Sequence, residues 1–190
     1  IRKAKLPAKH EAIEETLQFL GATESELGHF EKAIKYFTQA MSIRSDRPRN
    51  RQKREEDADT FLRLGKLHQE NKEYEKAQKA FESCLYHRKL MKGRRDRDIG
   101  EVFFALGVLF LEIGKREVGL IRFQDALRLY KNDEEQNKVE IADVLFSIGI
   151  LYFEQDDFQM AIHAYCQSLR IRRGSKIAGA SCAQVLTNIG

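Results

Sequence analysis

Leu20-Gly21, Leu64-Gly65, Leu106-Gly107, Ile148-Gly149 and Ile189-Gly190 recur along the whole 190-residue chain, at intervals of 44, 42, 42 and 41 residues. A repeat of that length constrains the fold more than any other feature. One unit is too small to bury its own apolar face, so neighbouring units must stack into a continuous core. Twelve residues after each of the first four glycines stands a small residue: Ala33, Ala77, Gly119 and Ala161. An aromatic follows four later (Phe37, Phe81, Phe123, Tyr165). Then comes a small-apolar pair: Ala40-Met41, Cys84-Leu85, Ala126-Leu127 and Ser168-Leu169. Leu17, Phe61, Phe103 and Leu145 sit four residues before the glycines. Spacings of three and four keep side chains on one helical face, so each unit reads as two amphipathic helices. Small residues mark where the two helices approach closely, and the aromatic fills the adjoining hole.

Helices are expected at 8–26, 30–44, 54–71, 74–91, 97–113, 116–131, 136–154, 158–173 and 178–190, with Pro7 suited to a first turn. Turns fall near Gly28, Lys72, Gly114 and Asp156, and glycine there tolerates the left-handed backbone that ends many helices. The repeats run over 11–45, 58–92, 100–134 and 142–174, with a truncated fifth from residue 178. Val185, Leu186 and Ile189 of that last helix would lack a partner, which reads as a fragment of a longer protein.

These residues resemble the tetratricopeptide repeat: large-x-x-Leu-Gly-x-x-Tyr in a first helix, then Ala, Phe and Ala down a second. Phe110 and Tyr152 conform at the tyrosine position, whereas Glu24 and His68 depart from it. Gly119 replaces an alanine, Arg116 stands where Phe30, Tyr74 and Phe158 carry aromatics, and the closing proline is missing from all four units. The long period, with Ala126–Tyr130 and Ser168–Arg173, looks like the kinesin-light-chain type of repeat. The His-Pro pair and the paired asparagines of that type are missing. The resemblance implies an all-α fold, a right-handed α-solenoid of stacked antiparallel helix pairs, acting as a non-catalytic scaffold or adaptor for a protein partner.

In such a stack the first helices line the concave side. The expected inward stripe is Gln18, Ala22, Ser25 and Glu26, then Leu62, Lys66, Gln69 and Glu70. It continues as Phe104, Val108, Leu111 and Glu112, then Phe146, Ile150, Phe153 and Glu154, so the groove turns from polar to apolar. Contiguous apolar surface marks an interface, and a peptide or amphipathic helix suits it. Packing against later parts of the same chain is the alternative occupant. The recurring Glu26, Glu70, Glu112 and Glu154 either hold a basic partner segment or form a solvated rim.

Formal charge is +4, yet the cations cluster between units. Arg44, Arg47, Arg49, Arg51, Lys53 and Arg54 crowd the first loop, and Arg88, Lys89, Lys92, Arg94, Arg95 and Arg97 the second. Arg170, Arg172, Arg173 and Lys176 fall in the fourth. Such a basic edge is either a solvated edge partly paired with Glu55, Glu56, Asp57, Asp96 and Asp98, or a surface that suits an acidic protein. The loops lack interleaved aromatics for base stacking, which argues against nucleic acid. An architectural subunit of a large assembly and an RNA-associated adaptor are the alternative functions.

Nothing in the chain suggests catalysis, a metal or a cofactor. His10, His29, His68, His87 and His163 are scattered rather than set at metal-ligand spacing. Gly114–Gly119 lacks the strand and Lys-Ser/Thr of a phosphate loop. Cys84, Cys166 and Cys182 show no pairing pattern, and with no signal segment they suggest a reducing cytoplasmic or nuclear setting. No apolar run reaches the roughly 20 residues needed for membrane insertion.

Overall fold

A computed structural model describes residues 8–45, 47, 48, 50–91 and 96–174. All its regular elements are helical: α1 (Ala8–Glu26), α2 (Phe30–Ser45), α3 (Arg51–Glu70), α4 (Tyr74–Leu90), α5 (Asp96–Glu112), α6 (Arg116–Tyr130), α7 (Lys138–Phe153) and α8 (Phe158–Gly174). A short 3-10 turn, Lys131–Asp133, follows α6. The chain forms two compact units, residues 1–93 with α1–α4 and residues 94–190 with α5–α8. In the first, α1 pairs with α2 and α3 with α4, and α2 packs on α3. In the second, α5 pairs with α6 and α7 with α8, and α6 packs on α7. The expected fifth helix lies outside the described residues.

Each pair is built around the repeat glycine. A side chain on Gly149 would strike the Tyr165 ring, and one on Gly21 would press on Phe37. Ala33, Ala77 and Ala161, almost wholly buried, let the second helix close onto the first. At Gly119 the approach is tighter still, since an added methyl would lie 3.2 Å from the Gly107 carbonyl oxygen. The buried rings Phe37, Phe81, Phe123 and Tyr165 each contribute about 1.5–3 kcal/mol by leaving water.

All four intra-pair turns share one backbone geometry. Gly28, Lys72, Gly114 and Asp156 have φ of 74°, 58°, 75° and 59°. Each donates its N–H to the carbonyl three residues back, and the next residue donates to the carbonyl five residues back, for example Gly28 to Ser25 (3.0 Å) and His29 to Glu24 (2.9 Å). These paired bonds satisfy carbonyls that the helix end would otherwise leave open. In the first two turns side chains repeat the link. His29 Nδ1 lies 2.7 Å from Glu24 Oε2, and His68 Nδ1 lies 2.6 Å from Glu73 Oε2. Glu24 and His68, the two departures at the tyrosine position, thus each hold a turn, with acid and imidazole exchanged. His68 is half-buried.

α3 begins at Arg51, earlier than expected, because the Asn50 side chain accepts from the Lys53 N–H at 2.7 Å and caps it. Between α6 and α7, the buried Asn137 Nδ2 donates to the Tyr130 carbonyl at 3.0 Å.

Candidate functional site

The apolar stripe expected on the first helices of the third and fourth repeats lies entirely in the second unit. Phe104, Val108, Leu111, Phe146 and Ile150 are half-buried, and Phe153 is 51% exposed. The stripe was expected on the side turned away from the partner helix, and for four of its members the structure differs. Phe104 lies ring to ring with Phe123 of α6 (centroids 5.6 Å), and Phe146 with Tyr165 of α8 (5.5 Å). A side chain three residues before the repeat glycine lies beside the gap that admits the second-helix ring, so an aromatic there lies against that ring. Ile150 and Phe146 also pack on the cluster of Ala161, Tyr165 and Leu169. Phe153 meets Phe158 edge-on at 5.6 Å, and both rings are half open to solvent.

The rim carboxylates are exposed at Glu112 and Glu154. Glu154 Oε2 accepts from Arg116 Nε at 3.0 Å. Arg116, which stands in place of an aromatic, therefore ties the start of α6 to the end of α7. At the other end of α7, Arg97 Nε from the start of α5 donates to Glu140 Oε1 at 2.9 Å, and that bond raises the Arg97 pKa.

In the first unit, α1 and α3 enclose a cleft of about 300 Å³, lined by Glu15, Gln18, Phe19, Ala22, Phe37, Glu56, Asp59, Thr60 and Arg63. Gln18 and Ala22 were expected there. Leu62 was not correctly placed by the sequence: it is buried in the core, and Arg63 takes the cleft position with its guanidinium 6.0 Å from the Phe37 centroid.

The basic edge needs the larger correction. Arg44, Arg88 and Arg172 are buried, not loop cations. Arg44 Nε donates to Glu14 Oε1 at 2.7 Å, and its Nη1 donates to Asp57 (3.2 Å) and Thr60 Oγ1 (3.1 Å). Arg88 Nη2 reaches Asp59 at 3.5 Å. Arg172 Nη2 donates to Asp143 at 2.7 Å and its Nε to Ser168 Oγ at 3.2 Å. Ser168 Oγ in turn donates to the Ala142 carbonyl at 2.7 Å. Each arginine stands 23 residues after its repeat glycine and pairs back to an acid near the start of the same pair's first helix. Repetition in register was the available signal. The third repeat instead carries Tyr130 at that slot, seated where Gly100 has no side chain. Burial raises the Asp143 pKa, against the pull of Arg172.

Arg47 is held by Glu14 at 2.7 Å and Glu56 at 3.2 Å, while Arg51, Arg97 and Arg173 are exposed. Arg49, Arg94 and Arg95 lie outside the described residues. Among the described residues no group of three or more His, Cys, Asp or Glu is placed to hold a metal ion, and no helix is long and apolar enough to cross a membrane.

Helix pairs closed by an aromatic over a glycine, with first-helix side chains left open in both units, define a helical-repeat scaffold for protein interaction. The chain belongs to the tetratricopeptide repeat family, whose model matches residues 14–47, 58–86 and 142–174, just over half of its length. The α5–α6 pair lies outside those matches, yet it has the same glycine, ring and left-handed turn. Many solved structures are similar in fold. BtubC (BKLC) from P. vanneervenii superposes with a TM-score of 0.76 at 18% identity, over 90% of this chain and 67% of that one. The apo form of RapI gives 0.80 at 19%, over 93% and 61%. Aspartyl phosphate phosphatase F from Bacillus subtilis gives 0.80 at 17%, over 92% and 44%. The chain thus spans from under half to two thirds of these proteins. No curated protein sequence matches it.

Proposed function

We propose that the chain is a non-catalytic adaptor that captures an apolar peptide or amphipathic helix on the first-helix face of α5 and α7. The observation that carries this reading is the run of Phe104, Val108, Leu111, Phe146, Ile150 and Phe153 along two neighbouring first helices, only partly covered by the chain itself. Burying even half of six such side chains supplies roughly 4–9 kcal/mol, enough to offset association costs at the lower end of about 4–15 kcal/mol. Glu112 and Glu154 bound one end of this surface and suit a basic residue flanking the apolar segment. The glycine spacing of 41–44 residues supports the long-period, kinesin-light-chain-like subtype. A buried thiol at Cys84, in a helix-contact slot, suits a reducing cytoplasmic setting.

The test is capture from native lysate by wild type and by a Val108→Glu/Phe153→Glu variant, read by mass spectrometry. These positions are chosen because Phe104 also packs on Phe123, so a charge there would damage the core. A protein retained by wild type and lost by the variant, with helicity unchanged, supports the groove. Equal capture by both removes it.

A further inference from the structure

The cleft between α1 and α3 is lined in a regular way. Glu15, Phe19 and Ala22 come from one face of α1, and Glu56, Asp59 and Arg63 from one face of α3. Three carboxylates thus face one guanidinium across the lining. Acids stand at the early end of both helical stripes. Arg63 stands about 10 Å further along α3 than Glu56, with its guanidinium over the Phe37 ring.

The acids are unequally matched. Glu56 accepts from Arg47 at 3.2 Å and from Gln52 at 3.0 Å. Asp59 is 65% exposed and meets Arg88 at 3.5 Å, a long contact for a hydrogen bond. Glu15 is exposed, and its carboxylate has no partner among the described residues. One turn further along α1, Phe19 is 68% exposed, the most open large apolar side chain among the described residues. A carboxylate lacking a cation beside an aromatic ring lacking cover fits one kind of group. That group is a cation on an aliphatic stem, which lays its methylenes on the ring and carries its charge to the acids. Size narrows the occupant further. A cleft of about 300 Å³ is at the small end of ligand cavities, and it takes one long side chain rather than a helix about 10 Å across.

The geometry points to a docking site for one basic residue of a partner peptide, its stem over Phe19 and Ala22 and its charge between Glu15 and Asp59. The site lies wholly in the first unit and shares no residue with the apolar run on α5 and α7. It therefore holds or fails separately from the adaptor reading.

NMR titration of the isotope-labelled chain tests it, with a blocked Ala-Leu-Arg-Leu-Ala peptide and its citrulline counterpart, equal in shape but uncharged. The arginine peptide should shift the amide signals of Phe19 and Ala22, with an affinity that falls as salt rises. The citrulline peptide should bind roughly tenfold more weakly, and Glu15→Gln with Asp59→Asn should lose a similar factor against the arginine peptide. Asp59→Asn also removes a partner of Arg88, so Glu15→Lys, at an exposed position, replaces the double variant if that loses helicity. Equal affinity for citrulline, unchanged binding by a folded variant, or shifts that avoid Phe19 and Ala22 would each overturn the inference. So would binding that appears only when Arg2, Lys3 and Lys5 are all changed to Ala, because the occupant would then be the start of this chain.

Discussion

Gly107 and Phe123 share one space: a methyl group on the glycine would lie 2.5 Å from the Phe123 ring carbons. The aromatic of the second helix thus occupies volume that any other residue of the first helix would claim. This relationship recurs in every described pair and explains why the glycine and the aromatic travel together at a fixed separation of 16 residues.

Gly107→Ala and Gly149→Ala should each destabilise the protein by up to about 2 kcal/mol net, an overpacking cost of about 1–3 kcal/mol less the roughly 1 kcal/mol gained in helix propensity. Gly21→Ala should cost less, since its nearest ring atoms stand at 3.0–3.1 Å and need shift only slightly. Urea denaturation of the three variants checks the order. Equal or neutral effects would contradict it.

Lys72 and Asp156 hold a left-handed backbone that glycine holds at Gly28 and Gly114. Lys72→Gly and Asp156→Gly should therefore each stabilise by about 1 kcal/mol, and Gly28→Ala should lose a similar amount. Thermal melting of the single variants reads both signs.

Arg44 is wholly buried and faces the buried Glu14. Arg44→Ala leaves Glu14 with Arg47 alone, also removes the bonds to Asp57 and Thr60, and should cost about 3 kcal/mol. Arg88→Ala should cost less, since its partner Asp59 is 65% exposed and regains water. Chemical denaturation of the two variants side by side decides whether burial of the acid sets the cost.

Much of this architecture was legible in the chain. Helix spans, paired turns and the glycine-aromatic register follow from spacing alone, because helical period and left-handed turns leave a direct mark on residue choice. Other features did not. Arg44, Arg88 and Arg172 look like loop cations until the acid that each meets is brought back across the helix pair. Leu62 and Arg63 differ by one residue on a helical wheel, and which of them faces the cleft depends on how α2 covers α3. The Phe104–Phe123 and Phe146–Tyr165 contacts likewise depend on how deeply each ring enters beside its glycine.

Glu73 is held at about pKa 2, below its ordinary value of 4.5, chiefly by the hydrogen bond from Lys76 and then by His68. A depressed carboxyl adds stability above its unfolded pKa and loses it as protons bind. The contribution should be complete above pH 4.5 and fade as pH falls toward 2. Glu73→Gln should therefore match wild type at the acid end and fall below it at neutral pH, with the gap narrowing in high salt because the group is exposed.

The most direct measurement of the adaptor account is hydroxyl-radical footprinting of the free chain and of its complex with a captured partner. Phe153 and Val108 should lose reactivity on binding, while Ile121, half exposed on α6, should not change. Protection of Ile121 with Phe153 and Val108 unaffected would move the binding surface off the first helices and contradict the account.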